Sequence, residues 1–293
     1  MEVHLVDGTY ELFRYFYSPG GGHSNADGIE VGAVRGVLRS MTQLLGDGAT
    51  HVGIATDHVI ESFRNDMWPG YKNGDGIEPE LWAQSPLLEE SLAAAGFTVW
   101  PMVDVEADDA LGAAAAVAAA DPRVTRALIC TPDKDLAQCV VDPRVVQFDR
   151  RAGVIRDEAA VFEKFGVRPA SIPDYLALVG DTADGFPGLA GWGAKSAATV
   201  LARYGHLEDI PADSADWDVT VRSAAKLAAT LAEHHDEALL FRRIATIVDD
   251  VEVGTPDDWH WTGPTHGFAA WAERLDAPDV ARKLQALAAT RSG

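Results

Sequence analysis

The chain of 293 residues is long enough for one large domain or two modest ones, and its hydrophobic fraction of 47% is ordinary for a globular protein. No apolar run approaches the roughly 18 residues that a membrane-spanning helix needs, and the first residues lack a signal peptide's basic start and apolar middle, so we expect a cytoplasmic protein. Its 24 basic and 45 acidic residues give a formal net charge of −21, which argues against broad nonspecific attraction to nucleic acid or anionic membranes.

The first half of the sequence alternates short apolar runs with helical patterns. Strands are predicted at 4–7, 52–55, 98–100, 127–130 and 145–148. Helices are predicted at 10–17, 31–45, 86–95 and 107–120, with a Gly-rich turn at 20–22. Strands that alternate with helices indicate an α/β fold with a mostly parallel sheet flanked by helices. In such a sheet, ligands bind beyond the carboxyl ends of the strands.

After about residue 157 the pattern changes to short helices and loops, and one short segment, 244–248, could form a strand. We therefore predict two domains, 1–157 and 158–293. The segment 255–266 is predicted to be a loop. Cys130 and Cys139 lie in apolar segments, so we predict reduced, buried thiols rather than a disulfide.

Nine carboxylates fall in five short motifs, and four of these motifs sit at the ends of predicted strands. They are Asp7, Asp57, Glu106, Asp108, Asp109, Asp133, Asp135, Asp181 and Asp184. Carboxylates brought together in one cleft repel one another and resist desolvation, so such a site persists only if cations neutralise it. The pattern therefore indicates bound metal, and more than one ion.

Each acidic motif also has a structural explanation when it is taken alone. The acids of VEADDALG and TPDKDL lie where a helix begins, and the helix dipole favours them there. The acids of VGDTADGFPG could belong to an ordinary turn. Asp7 has little structural benefit at the end of an apolar strand, and VEADDALG offers three acids where a cap needs one. The conjunction of the five motifs favours the metal site.

The chemistry of the acids narrows the choice of ion and reaction. Oxygen ligands without a matching cluster of His or Cys favour Mg²⁺ or Mn²⁺ over zinc. Two such ions suit hydrolysis of a phosphodiester, because one activates water while the other stabilises the leaving oxygen. A serine or cysteine nucleophile is then unnecessary.

The segment GLAGWGAKSAATVL has part of a phosphate-binding pattern. It is not a P-loop, because Ala194 separates Gly193 from Lys195 and no apolar strand leads into it. A helical hairpin turn is the better interpretation, with Gly191 and Gly193 letting the backbone approach a phosphate, although a plain helix connection is the alternative. Residues 185–207 contain no Asp or Glu and include Lys195 and Arg203, so an anion could approach there.

With these motifs assembled, the chain resembles the 5′-nuclease superfamily, which includes the 5′-nuclease domain of bacterial DNA polymerase I, phage 5′-exonucleases and flap endonucleases. The resemblance runs from LVDGTY to about Val251. It implies a PIN-like (resolvase-like) catalytic domain with an arch at about 62–90. It also implies a helical C-terminal domain with a helix-three-turn-helix element at about 180–205.

The resemblance also assigns roles to residues. It implies a first metal site of Asp7, Asp57, Glu106 and Asp108, and a second of Asp133, Asp135, Asp181 and Asp184, with Asp109 nearby. It implies that three basic residues orient the scissile phosphate: Arg14, Arg64 and Lys72. It implies that five residues of the hairpin hold duplex DNA: Gly188, Gly191, Gly193, Lys195 and Ser196. It also implies that backbone carbonyls of this hairpin bind K⁺.

Three positions depart from the family pattern. Ala183 and Gly185 stand where Ser and Asn are usual in the acidic turn, and Asp75 stands where an arginine commonly follows the YK pair. An acid in the arch repels a threaded strand, which puts flap handling or rate in doubt.

We expect a stand-alone, structure-specific 5′ nuclease that acts by a two-metal-ion mechanism. Its expected partners are DNA with a 5′ flap, nick or 5′ end, RNA primers in an RNA–DNA hybrid, and a separate DNA polymerase. The main alternative is a nucleic-acid junction-binding protein with weak catalysis. A third is an RNA-cleaving enzyme of the related small acidic-site nucleases, against which the hairpin argues.

Overall fold

The computed structural model describes residues 1–291, and within that range the strands have the order β3-β2-β1-β4-β5-β6. The strands are β1 (Glu2–Asp7), β2 (His51–Asp57), β3 (Thr98–Met102), β4 (Arg126–Cys130), β5 (Val145–Asp149) and β6 (Val154–Arg156). The first helices are α1 (Gly8–Phe16), α2 (Gly32–Gly46), α3 (Phe63–Met67), α4 (Pro79–Trp82), α5 (Gln84–Ala94), α6 (Ala107–Ala120) and α7 (Glu158–Phe165). They are followed by α8 (Ile172–Val179), α9 (Ala194–Tyr204), α10 (Ala224–Glu233), α11 (His235–Ala245), α12 (Phe268–Arg274) and α13 (Pro278–Arg291).

The first of two compact units contains residues 1–60, residues 74–131 and the chain from residue 249 onward. Its strands β3, β2, β1 and β4 are all parallel, and Val3 lies opposite both His51 of β2 and Ala127 of β4. Their carboxyl ends therefore meet at one edge, where β1 ends at Asp7 and β2 at Asp57. The predicted parallel α/β architecture is confirmed.

Helix α6 is the central helix of this first unit and packs on β1, β2 and β4. It is rich in alanine, and most of its residues are fully buried. Small side chains let the helix axis approach the sheet closely, so burial rather than amphipathic patterning stabilises this helix. Its first turn is thereby fixed close to the ends of the strands.

The 255–266 segment has a packing role that its sequence does not reveal. Backbone bonds connect it to the start of β2: the amide of Val52 donates to the carbonyl of Trp259 at 2.8 Å, and that of Trp261 donates to Thr50 at 2.9 Å. Both tryptophans are only 1% exposed, and the Trp261 indole N–H donates to the carbonyl of Ala95 at 2.9 Å. The segment lacks regular structure but contributes two large side chains to the core.

The second unit contains residues 61–73 and 132–248. It holds the antiparallel pair β5 and β6 and the helices α3 and α7 to α11. Helices α8 and α11 pack against each other. The ring of Phe186 stacks on that of Phe241 with centroids 5.6 Å apart.

The strand considered at 244–248 is wrong. Ile244 and Ala245 are the last residues of α11, and no regular element follows them before residue 249. Ala238, Phe241 and Ile244 are buried at a spacing of three residues, so the apolar run is the continuation of a helix face. Strand β6, in contrast, was not predicted, because two of its three residues are exposed.

Other predictions about the whole chain fare differently. The predicted domain boundary near residue 157 stays a prediction. Residues 292 and 293 of the predicted second domain lie outside the described residues. Cys130 and Cys139 do not form a disulfide, as predicted, although Cys139 is only partly buried. None of the helices between residues 1 and 291 is both long and apolar enough to cross a membrane.

Candidate active site

Asp7 joins the end of β1 to the start of α1. Its Oδ1 accepts a bond from the backbone amide of Tyr10 at 2.8 Å, and its Oδ2 accepts one from the Thr131 hydroxyl at 3.0 Å. The side chain is buried, with 7% of the residue exposed. The expectation that an acid here has little structural benefit is therefore wrong, because Asp7 caps α1.

Asp57 makes a similar connection between β2 and α6. Its Oδ1 accepts from the backbone amide of Ala107 at 2.8 Å, and its own amide donates to the Thr9 hydroxyl at 2.8 Å. One carboxylate thus fixes the first turn of α6 relative to the end of β2. This bond brings Asp57 next to the acids of VEADDALG.

The three acids at the start of α6 differ in burial. Asp109 is completely buried, and its Oδ2 accepts from the amide of Glu106 at 2.9 Å. Glu106 is 4% exposed, whereas Asp108 is half-buried. Asp109 therefore helps to cap the helix, and its relation to the metal site stays a prediction. The ligand roles of Glu106 and Asp108 stay predictions.

A second acidic group lies in the second unit. Asp135, Asp181 and Asp184 each offer one carboxylate oxygen, and the three oxygens lie within 4.8 Å of one another. Exposed Asp133 supports the group, since its Oδ1 accepts from the amide of Asp135 at 2.9 Å. The structure thus brings together three of the four acids predicted for the second metal site, and the fourth, Asp133, accepts a bond from the backbone of Asp135.

The turn that carries Asp181 and Asp184 is closed by its own backbone. Asp181 and Phe186 exchange amide-to-carbonyl bonds of 2.8 and 3.0 Å. The Asp181 Oδ1 also accepts from the amide of Ala183 at 3.0 Å, a bond that needs no serine at that position. Gly185 has φ of +81°, and an added Cβ would lie 2.0 Å from the carbonyl oxygen of Gly70. Asparagine tolerates positive φ, but here glycine also avoids a clash.

Two lysines neutralise part of this acidic group. The Lys134 ammonium pairs with Asp181, and the Lys72 ammonium lies 3.1 Å from Asp184 Oδ1. Burial lowers the pKa of Lys134, but the hydrogen bond to Asp181 and the neighbouring carboxylates outweigh it, so the net pKa is raised. Lys134 was not predicted as a site residue, because its partner lies 47 positions away in the sequence.

Asp135 lies in the least favourable electrostatic environment of the group. Burial raises the pKa of its carboxyl well above the usual range, and the charges of Asp133 and Asp184 add to that rise. Its Oδ1 is buried and has no hydrogen-bond partner. A buried acceptor without a donor is costly, and a bound cation would satisfy it.

The donor set fits a hard divalent cation. Oxygens that share one Mg²⁺ at about 2.1 Å lie up to about 4.2 Å apart, so small side-chain movements suffice to close the set of three. An all-carboxylate set favours Mg²⁺ or Mn²⁺ over softer metals. The unpaired oxygen of Asp135 is the observation in this structure that supports a resident ion.

The three basic residues predicted to orient phosphate have different environments. Arg14 on α1 pairs with the buried carboxylate of Glu11, and its guanidinium lies 4.3 Å from the centroid of the Tyr15 ring. Lys72 contacts the acidic turn twice, because its backbone amide also donates to the carbonyl of Asp184 at 3.0 Å. These contacts fix both side chains, and their action on phosphate stays a prediction.

Arg64 has contacts that sequence alone did not anticipate. It is only 2% exposed, and its guanidinium donates to the carbonyls of Ile244 at 2.8 Å and Thr246 at 3.1 Å. These oxygens lie at the C-terminal end of α11, where a cation is favoured by the helix dipole. The structure therefore shows a packing role for Arg64, and its contact with phosphate stays a prediction.

The predicted hairpin lies between α8 and α9. Gly188 has φ of +67°, and an added Cβ would lie 2.3 Å from the amide nitrogen of Gly180, so only glycine fits. Gly193 is the N-cap of α9, and its amide donates to the Ser196 hydroxyl at 3.1 Å. Lys195 is exposed in the first turn of α9, and Gly191 lies in the connection with φ of +86°.

Acids at the carboxyl ends of a parallel sheet and a carboxylate group suited to a divalent ion define a metal-dependent hydrolase. A family described as "5′-3′ exonuclease, N-terminal resolvase-like domain" matches residues 2–166, and one described as "5′-3′ exonuclease, C-terminal SAM fold" matches residues 167–266. The chain belongs to the 5′-3′ exonuclease family, which is a family of nucleases.

Individual proteins agree with this assignment. DNA polymerase I of Bacillus caldotenax is 31% identical over 291 residues, which cover 94% of this chain and 32% of that protein. The T5 D15 protein co-crystallised with metal ions matches with a TM-score of 0.65 at 18% identity, over 98% of this chain and all of that one. The catalytic core of Rad2 in complex with DNA substrate matches with a TM-score of 0.63 at 14% identity, over 97% of this chain and 91% of that one. At these identities the two structures show a common fold, and the chain spans 32% of the length of the polymerase.

Proposed function

We propose that this chain hydrolyses phosphodiester bonds at the 5′ ends or 5′ flaps of duplex and branched DNA. The observation that carries the proposal is the convergence of Asp135, Asp181 and Asp184 within 4.8 Å, with one oxygen of Asp135 buried and unpaired. Family membership indicates the reaction, hydrolysis of phosphodiester bonds. The three carboxylates would bind the cation that this reaction needs. T5 D15 crystallised with metal ions and Rad2 with DNA substrate support a metal cofactor and a DNA substrate by analogy.

We propose two Mg²⁺ or Mn²⁺ ions, one held by each acidic group. Bound there, such ions would activate water and stabilise the leaving oxygen. The chain's own residues position the groups: Asp57 holds the start of α6, and the bonds between Asp181 and Phe186 fix the acidic turn. Arg14 and Lys72 are proposed to orient the scissile phosphate. Arg64 is proposed to do the same with a guanidinium that two backbone carbonyls hold in place.

The hairpin is proposed to hold the duplex. Exposed Lys195 would meet a phosphate, and Gly191 and Gly193 leave room for the backbone of the nucleic acid. We further propose that backbone carbonyls of the hairpin between α8 and α9 bind K⁺, next to the DNA strand that Lys195 would contact. We also propose that RNA primers in RNA–DNA hybrids are substrates, and that a DNA polymerase supplies the flaps.

Cleavage of defined substrates tests the proposal. A 5′-labelled flap, a nicked duplex and a single strand are each incubated with the protein, with and without Mg²⁺. We expect product from the flap or the nicked duplex only when Mg²⁺ is present, and slower product from the single strand. The same flap with a 5′ RNA segment tests primer removal, and replacement of K⁺ by Na⁺ tests the hairpin site.

Binding without cleavage would contradict the proposal. In a gel-shift experiment, Ca²⁺ supports binding and Mg²⁺ is then added to start the reaction. A retained complex with intact DNA after Mg²⁺ addition would identify a junction-binding protein with little catalysis. Exposed Asp75 is the residue that motivates this control.

A further inference from the structure

A cavity of about 690 Å³ lies in the second unit, between the start of α9 and the segment that leads into α10. Its polar lining comes from both walls: Lys195, Ser196, Thr199, Thr220, Arg222, Ser223 and Lys226. None of the lining residues is an Asp or a Glu. In a chain with a net charge of −21, a cavity with three cations and no carboxylate is a local reversal of charge.

The three cations of this cavity are available to an external ligand. Lys195, Arg222 and Lys226 are exposed, and in the described part of the chain none of them forms an ion pair. Arg203, at the other end of α9, shows the contrast, because its guanidinium lies 2.7 Å from the carboxylate of Asp218. The acid-free segment 185–207 therefore contributes one cation without an acidic partner, Lys195. The other two, Arg222 and Lys226, come from a later part of the chain.

We propose that Arg222 and Lys226 bind backbone phosphates of duplex DNA and extend the contact that the hairpin makes through Lys195. The inference rests on the proposed function, because it assumes that the hairpin meets DNA. The lining chemistry favours phosphate over bases: it offers ammonium and guanidinium donors but no aromatic ring and no Asn or Gln amide. Such donors position a duplex without reading its sequence.

Salt dependence of DNA binding measures this contact directly. The variant Arg222→Gln/Lys226→Gln is compared with wild type for affinity to a labelled 5′-flap duplex in Ca²⁺ over a series of KCl concentrations. The slope of log K against log salt is negative, and each lost phosphate contact reduces its magnitude by about 0.9. We therefore expect the slope of the double variant to be shallower by about two. At the lowest salt we expect affinity to fall about tenfold.

The matched control carries the same change of charge at another site. Arg282 and Lys283 are adjacent and exposed on α13, so Arg282→Gln/Lys283→Gln also removes one arginine and one lysine. We expect this control to keep the wild-type slope and the wild-type cleavage. The charge-conserving variant Arg222→Lys/Lys226→Arg should keep the wild-type slope as well.

Two results would overturn the inference. One is a wild-type slope in Arg222→Gln/Lys226→Gln, and the other is an equal loss in the control, since overall charge would then explain the effect. Failure of the proposed function looks different: wild type would bind the flap with the expected slope but leave it intact in Mg²⁺. A wild type that does not bind the duplex at all would refute both proposals.

Discussion

Replacement of Asp135 by asparagine tests the acidic group of the second unit most directly. Two unit charges 4.8 Å apart repel by about 3.5 kcal/mol at an effective dielectric constant of about 20. Lys134 and Lys72 offset much of the charge on Asp181 and Asp184, so we expect a net relief of about 1–2 kcal/mol. Asp135→Asn should therefore be more stable than wild type in EDTA, with a Tm higher by about 2–6 °C.

The same substitution should remove the effect of the ion. Mn²⁺ should raise the Tm of wild type, because a ligand that binds only the folded state stabilises it, and it should raise that of Asp135→Asn little. Cleavage of the flap should fall on the order of 100-fold or more, as two-metal chemistry requires. The control is Asp209→Asn, which removes an exposed acid of the same unit. A variant that is less stable in EDTA, or that keeps the Mn²⁺ shift and full cleavage, would refute the reasoning.

Three further substitutions test contacts of the fold and the site. Lys134→Gln should tighten Mn²⁺ binding to the DNA-free protein about fivefold by calorimetry, since a competing charge worth about 1 kcal/mol is removed; unchanged affinity would contradict this. The hydrogen bond from Arg242 lowers the pKa of Glu208 from 4.5 to about 2, so wild type has this stabilisation above about pH 4.5 and loses it towards pH 2. In Arg242→Leu, urea unfolding should show a smaller loss over that pH window, and an identical profile would count against the pair. Trp261→Ala should lower the free energy of unfolding by about 3–5 kcal/mol, whereas Trp82→Ala, at a position 38% exposed, should change it little.

Local patterns predicted the elements best where one physical cause dominates. Helix α6 was predicted at its observed bounds because an alanine run lies between an acidic start and the Asp121-Pro122 pair. The predicted strands were shorter than the observed ones, since backbone pairing continues beyond the apolar run at one end or both. The strand considered at 244–248 was wrong because Ile244 packs as part of a helix face that begins outside that window.

The contacts that sequence could not predict are those between distant residues. Nothing near Lys134 names Asp181 as its partner, and nothing near Arg222 places it beside Lys195. The burial of Trp259 and Trp261 likewise depends on β2, some 200 residues earlier in the chain. Side-chain positions of this kind follow from the assembled fold and not from any local pattern.

The structure changes how the two explanations of the acids relate to each other. In the sequence, helix capping and metal binding are alternatives, and each motif has to be weighed between them. A carboxylate has two oxygens and about four lone-pair sites, so one bond to an amide leaves capacity for a cation. Asp57 accepts from the amide of Ala107 through Oδ1, and Asp181 accepts from that of Ala183 through Oδ1 while Oδ2 pairs with Lys134. A cap bond holds one oxygen in place and thereby orients the other. Capping would thus fix a ligand before the ion binds, so a structural role for these acids is compatible with their proposed role as metal ligands.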